Sequence, residues 1–276
     1  RIIKHDGIYK SSRITADRTE YSDLRRQIIQ PYEQKCVYDC GFAVVDTKGN
    51  VYEMHSYIVR DIFCDEKDLM KSMEKFQEAG FNIHVHAMGD YALKYTVDCM
   101  ENAQKKYNKD GKLRNIIAHC SYVKDEDKKR MGENHIIASI QPEWQAENNE
   151  TQPELTLILG PERHGKTYPS KSLVDAGVVC AYGSDFTVGL PNALAGIQTA
   201  LTRRLCQTDV MYDAFKHTHP DSPEECVSLK EAIKAHTING AYQLGLEAER
   251  GSIEEGKYAD FVIVDKDVLT CPHNEI

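Results

Sequence analysis

Between residues 81 and 204, short β-branched apolar runs alternate with helical patterns four times, a rhythm that points to a parallel α/β arrangement. Parallel strands need long crossovers, and a helix is the usual one. Three of the runs end alike. Residues 81–90 (FNIHVHAMGD), 115–120 (NIIAHC) and 178–186 (VVCAYGSDF) each close a buried-strand pattern on a His or an Asp followed by small residues or a turn. In a βα barrel the reacting groups sit where strands end, so His86, His119 and Asp185 are the candidate site residues. Imidazole and carboxylate suit zinc or its first-row neighbours, and a catalytic zinc keeps one position open for water. The competing reading takes them as three unrelated polar residues, each satisfied locally.

A chain of 276 residues, 41% hydrophobic and 28% charged, can bury a sizeable core. Its formal net charge of -9 is spread along the sequence and no Lys/Arg stripe stands out, so nucleic acid is not an expected partner. No apolar run approaches the roughly 20 residues of a membrane span, and the opening RIIKHDG has no apolar signal core. The expectation is a soluble, cytoplasmic protein with no membrane partner. The cysteines are unevenly spaced, and Cys120 and Cys180 sit inside apolar runs, which suits buried thiols and no disulfides. The start at Arg1 and the stop at Ile276, soon after a strand-like run, suggest a segment of something longer.

Taken in order, residues 1–5 are a strand candidate followed by the turn signal Asp6-Gly7, and residues 40–60 alternate about Lys48-Gly49-Asn50 as a hairpin does. Asp65 is a candidate N-cap for a helix with Leu69, Met73 and Phe76 at helical spacing, ended by Ala79-Gly80. After His86 an amphipathic helix to about Lys106 buries Ala92, Leu93, Val97, Met100 and Ala103. A strand over 115–119, a charged helix over 125–131 and a strand over 135–140 that exits at Gln141-Pro142 come next. A long polar loop is expected over 144–168, then a helix over 170–176 closed by Gly177 and a strand over 178–182. A helix over 191–204 with Pro191 in its first turn, a polar acidic loop and a second helix over 229–244 follow. Residues 251–265 read as a glycine turn and an apolar strand in a separate β layer. A full barrel needs eight βα units, so the chain encodes about half of one.

Together, HVHAMGD, IIAHC, IQPEW, YPSKSLVDAGVVCAYGSDF, NALAGIQTALTR and HTINGAYQLGLEAERGSIEEGKYADFVIVD resemble the amidohydrolase superfamily, in particular its YtcJ-like branch, grouped as amidohydrolase family 3. The resemblance covers about residues 81–270 in the right order. It implies a (β/α)8 TIM-like barrel joined to a small β-sandwich built from both chain ends, holding one or two divalent ions, zinc by family habit. It also implies hydrolysis of a C–N bond in a small amide or cyclic amide. His86 matches the family's fifth-strand ligand, His119 the sixth-strand ligand and Asp185 the eighth-strand Asp, both ligand and proton shuttle. The family's first-strand His-x-His pair has no match in residues 1–80, and its fourth-strand lysine position falls on Ile2, with Lys4 two residues away. The chain then divides into 1–80, a partial barrel segment with a hairpin excursion; 81–250, the C-terminal barrel half with the ligand strands; and 251–276, a strand of the sandwich. A chain lacking part of its site is expected to be inactive alone and to form a homo-oligomer. Two other functions stay open: a non-catalytic fragment that binds ligand or self-associates, and a deaminase of the same superfamily.

Other residues carry weaker signals. His84 shares a strand face with His86 and reads as a packed or supporting histidine rather than a second ligand. Trp144 and Arg163 are candidate substrate contacts on the long loop, with simple packing as the alternative. His236 reads as a capping or packing residue, and Asp90 as a helix-start carboxylate able to orient a histidine. Cys36, Cys40, His55 and Cys64 could close a structural zinc site, although their spacing matches no zinc finger.

Overall fold

The computed structural model of the chain describes residues 3–5, 8–10, 40–45, 51–56, 66–148 and 150–276. They contain two four-stranded sheets of opposite kinds. β1 (Ile3–His5), β2 (Ile8–Lys10), β3 (Cys40–Val45) and β4 (Val51–Ser56) pair antiparallel in chain order. The β3–β4 ladder runs from Cys40↔Ser56 to Val45↔Val51, so the expected hairpin forms, and Ile3↔Lys10 begins the ladder across Asp6-Gly7. Lys4 therefore lies in this antiparallel sheet, opposite Tyr9. The Asp65 cap and Ile2 lie outside the described residues.

The second sheet is parallel throughout: β5 (His84–Ala87), β6 (Ile116–His119), β7 (Ile137–Ile140) and β8 (Cys180–Tyr182) are neighbours in chain order. α1 (Glu66–Glu78) leads into it and stops at Gly80, whose φ of 83° ends the helix without a Cβ penalty. α2 (Asp90–Tyr107) joins β5 to β6, and α3 (Asp125–Glu133) joins β6 to β7. α4 (Pro153–Leu159), α5 (Pro161–His164) and α6 (Ser170–Asp175) fill the connection to β8. α7 (Ala193–Thr202) follows, then α8 (Tyr212–Phe215), α9 (Leu229–His236) and α10 (Ile238–Leu244). This is the four-unit βα alternation that the sequence predicts, and it is part of a (β/α) barrel. Among the described residues no helix is long and apolar enough to cross a membrane.

Both faces of β6, β7 and β8 are largely covered, which is why those strands are apolar at most successive positions. Ile117, Ala138 and Cys180, aligned across three strands, pack with Leu93, Val97 and Met100 of α2 and Leu173 of α6. Each large apolar side chain buried there contributes about 1.5–3 kcal/mol. On the opposite face Ile116, Ile137 and Ala181 form a smaller cluster. At the amino end Asn115, fully buried, accepts hydrogen bonds on Oδ1 from Gln77 Nε2 (2.9 Å) and the Ile83 N–H (3.1 Å). Burial also pushes the Cys180 thiol up to about 12, as expected of a thiol that only packs.

Four expectations need correction. The stretch 144–168 is not one loop, because Pro153 and Pro161 each open a short helix. α7 starts at Ala193 with Asn192 as its cap, so Pro191 precedes the helix. The helix over 229–244 breaks at Thr237 (φ -120°, ψ -95°), after which Asn239 Nδ2 donates to the Cys180 carbonyl (2.9 Å) and ties α10 to β8. Residues 251–276 contain no strand: Val262 and Ile263 are 83% and 89% exposed, and no described strand pairs with them. A strand exists only by its ladder, and an apolar run without one stays extended and wet.

Candidate active site at the carboxyl ends of the parallel strands

The β5–β6 register sets His86 beside Ala118 and Ala87 beside His119, so the two histidines arrive at the same end of adjacent strands. Their rings meet edge to face with centroids 4.2 Å apart. His119 is buried, and its φ of 75° turns the chain sharply out of the strand, followed by Cys120 at φ 47°. Left-handed backbone at a non-glycine costs about 1–3 kcal/mol, and such strain concentrates at functional positions. His119 Nδ1 lies 2.7 Å from Gln141 Oε1, on the exit of β7. The amide oxygen accepts, so Nδ1 carries the proton and Nε2 is the unprotonated nitrogen of this tautomer. Trp144 stacks on the imidazole at 5.0 Å and 6°, and Tyr168 meets Trp144 edge-on at 6.4 Å. The ring is thus fixed from three sides. Trp144 both packs and belongs to the site.

Asp185 follows β8 in the left-handed region (φ 55°) and is exposed. It does not join the two imidazoles: among the described residues no three His, Cys, Asp or Glu side chains come together as a group able to hold a metal ion. The expected trio is therefore gathered only in part. An imidazole pair with one tautomer preset suits two positions of a metal's coordination shell, and the described residues supply no more. Arg163, exposed on α5, spends its Nε on the Leu159 carbonyl (2.7 Å) and touches none of these groups. His84 is exposed, and desolvation first and the nearby His119 second push it toward the neutral form. Asp90 pairs with Lys124 (3.4 Å) rather than with a histidine. Cys36 and Cys64 lie outside the described residues, while Cys40 and His55 sit in the β3–β4 hairpin.

A cavity of about 250 Å3 opens between the residues that follow β7 and β8 and the start of α7, lined by Glu143, Ser184, Asn192 and His236. His236 does pack, edge-on against Tyr182 at 5.3 Å, and burial pushes it down to about 4. Its Nε2 is buried with no hydrogen-bond partner, so it is a cavity wall as well as a packing residue. Burial and the Asp209 carboxylate hold Glu143 above the usual range. Gln141, Glu143 and Tyr168 are site residues that the sequence reading passed over. The available signal was position: Gln141 and Glu143 follow the end of β7 just as His119 closes β6.

A model of an amidohydrolase family matches residues 38–276. The chain is 29% identical over 225 residues to the N-substituted formamide deformylase of Arthrobacter pascens, covering 78% of this chain and 37% of that protein. It is likewise 29% identical over 204 residues to YtcJ of Bacillus subtilis (strain 168), covering 74% and 36%. The chain thus spans little more than a third of the length of these relatives. A solved structure described as an uncharacterized metal-dependent hydrolase from Pyrococcus horikoshii OT3 superposes with a TM-score of 0.61 at 20% identity, over 80% of this chain and 40% of that one. The last likeness is one of fold.

Proposed function

The chain belongs to the amidohydrolase family, and from that membership we propose that it contributes the C-terminal half of a metal-dependent hydrolase site acting on a C–N bond of a small amide or cyclic amide. Residues 81–250 form the barrel half in this reading, with His86 and His119 as two ligands of a divalent metal, zinc by donor type. The observation that supports it is the imidazole pair, 4.2 Å apart at neighbouring strand ends with His119 Nδ1 held by Gln141. When bound, the metal supplies Lewis acidity and brings the pKa of a water toward neutrality. Gln141 holds the tautomer, and Trp144 keeps the His119 ring oriented and dry. Asp185, exposed just after β8, would take a proton from the attacking water and deliver it to the leaving nitrogen. Among the described residues no further His, Cys, Asp or Glu joins the pair. The edges β5 and β8, each paired on one side only among the described strands, and the exposed apolar run near Val262 support self-association of the chain.

Metal uptake tests the assignment. The chain is loaded with Zn2+ and titrated against a chelator, wild type beside His119→Ala. The variant should lose more than the about 10- to 100-fold in affinity typical of removing an outer partner of a ligand. Equal metal content in both proteins would exclude His119 as a ligand. Asp185→Asn should take up metal as the wild type does.

A further inference from the structure

Next to Trp144 stands a carboxylate that none of the described residues matches with a donor. Glu143 lines two cavities that share it and Asn192: the one of about 250 Å3 already described and one of about 350 Å3. Among the described residues no donor hydrogen-bonds its carboxylate, and the charge that acts on it is the like charge of Asp209. Backbone walls it in, since a Cβ at Gly189 would lie 2.7 Å from Glu143 Oε2. Val188, Leu190, Leu205 and Val210 line the larger cavity, which has Asp209 as its other charged residue and no Lys or Arg. Val188 and Val210 are 72% and 92% exposed, so an apolar rim faces solvent at its mouth.

A half-buried carboxylate with no donor, beside a second carboxylate, gains most from a partner of opposite charge. Apolar walls favour an organic cation over a hydrated inorganic one, because they lose nothing by covering carbon. We propose that this double cavity binds an organic ammonium, its protonated nitrogen on the Glu143 carboxylate and its apolar body among Val188, Leu190, Leu205 and Val210. The site takes its meaning from the proposed function, as the place of a substrate's amine-bearing part, reached through Glu143, the chain neighbour of the Trp144 that stacks on His119. Binding itself requires neither metal nor turnover.

Calorimetric titration of the full chain in a chelating buffer tests it with three ligands of like shape and different charge: cyclohexylammonium, cyclohexanol and cyclohexanecarboxylate. The ammonium should bind at least about tenfold tighter than the alcohol, and the carboxylate weakest. Glu143→Gln, which keeps the shape, should erase the preference for the ammonium and leave the alcohol within about twofold of its wild-type affinity. Val210→Ser, at an exposed position that puts folding at no risk, should weaken all three alike. Absence of ammonium binding, equal affinity for the three ligands, a preference that survives Glu143→Gln, or indifference to Val210→Ser would overturn the assignment. A chain that prefers the ammonium while His119→Ala takes up as much metal as the wild type would sink the ligand assignment and leave this site standing.

Discussion

A single imidazole, His236, makes the fold sensitive to acid. Burial holds its pKa at about 4 against an ordinary value of 6.5. Between those values the unfolded chain takes up a proton that the folded chain refuses, so this contribution is whole above pH 6.5 and is lost as pH falls toward 4. Its full size is about 3 kcal/mol. His236→Phe fills the same place against Tyr182 without titrating. Urea unfolding at pH 7 and at pH 4.5 should therefore show the wild type losing about 2–3 kcal/mol more than the variant over that interval. Parallel losses in the two proteins would mean that other groups carry the acid limb. At this scale the sequence is informative where chemistry and position coincide. The strand-end placing of His86, His119 and Asp185 was readable because each closes an apolar run, but the run could not show that Asp185 stays apart from the imidazole pair. Gln141 and Glu143 were not readable, because an amide and a carboxylate after a strand have no ligand signature of their own; their roles come from the ring and the cavity they face.

Elements hold the site through a clamp that runs from α7. Arg203 ends that helix at φ 49°, is buried, and donates from Nη1 to the Tyr168 carbonyl (2.9 Å) and from Nη2 to the Thr167 carbonyl (3.0 Å). Tyr168, also left-handed at φ 50°, donates its N–H to the Ser121 carbonyl (2.7 Å), and its ring meets Trp144. α7, the segment after α5 and the turn after β6 thus form one linked unit around His119. Arg203→Leu would leave two buried carbonyls without their donor, at about 1–3 kcal/mol each. The variant should lose about 2–5 kcal/mol in urea unfolding, and emission from Trp144, the single tryptophan, should shift to the red. Unchanged emission with unchanged stability would show that the clamp does not reach the ring. The period of ALAGIQTALT announces α7, but a basic residue at a helix end reads as a solvated charge, so its burial was hidden. The break at Thr237 was hidden for a related reason: helical spacing continues across it with no Pro or Gly at the break itself, and the tie that favours it, Asn239 to the Cys180 carbonyl, is tertiary. Gly132 shows the same limit, since its lack of a Cβ matters only because the Ala176 carbonyl oxygen would sit 2.1 Å away.

For the whole molecule the question is what covers its remaining apolar surface. The parallel sheet is open, with β5 and β8 each bonded on one side among the described strands, and beyond α10 lies a run in which Phe261, Val262 and Ile263 are 64%, 83% and 89% exposed. Residues 251–265 looked like a strand because their composition is that of one, yet pairing is a property of two segments and a single run cannot disclose its partner. Exposed apolar surface of this kind drives association, and a second copy of the chain is the partner always present in a purified sample. Sedimentation velocity at rising concentration should show assembly beyond the monomer. Replacing the three residues together, Phe261→Ser, Val262→Thr and Ile263→Lys, should shift the distribution toward monomer. Because these side chains contribute little to the core, the melting temperature should move by no more than about 2–4 °C. Undiminished assembly in the triple variant would clear the run of that role and turn attention to the edges β5 and β8. A melting temperature lowered as by a core truncation would mean instead that the run is buried in the folded protein, in a layer that the exposed positions do not reveal.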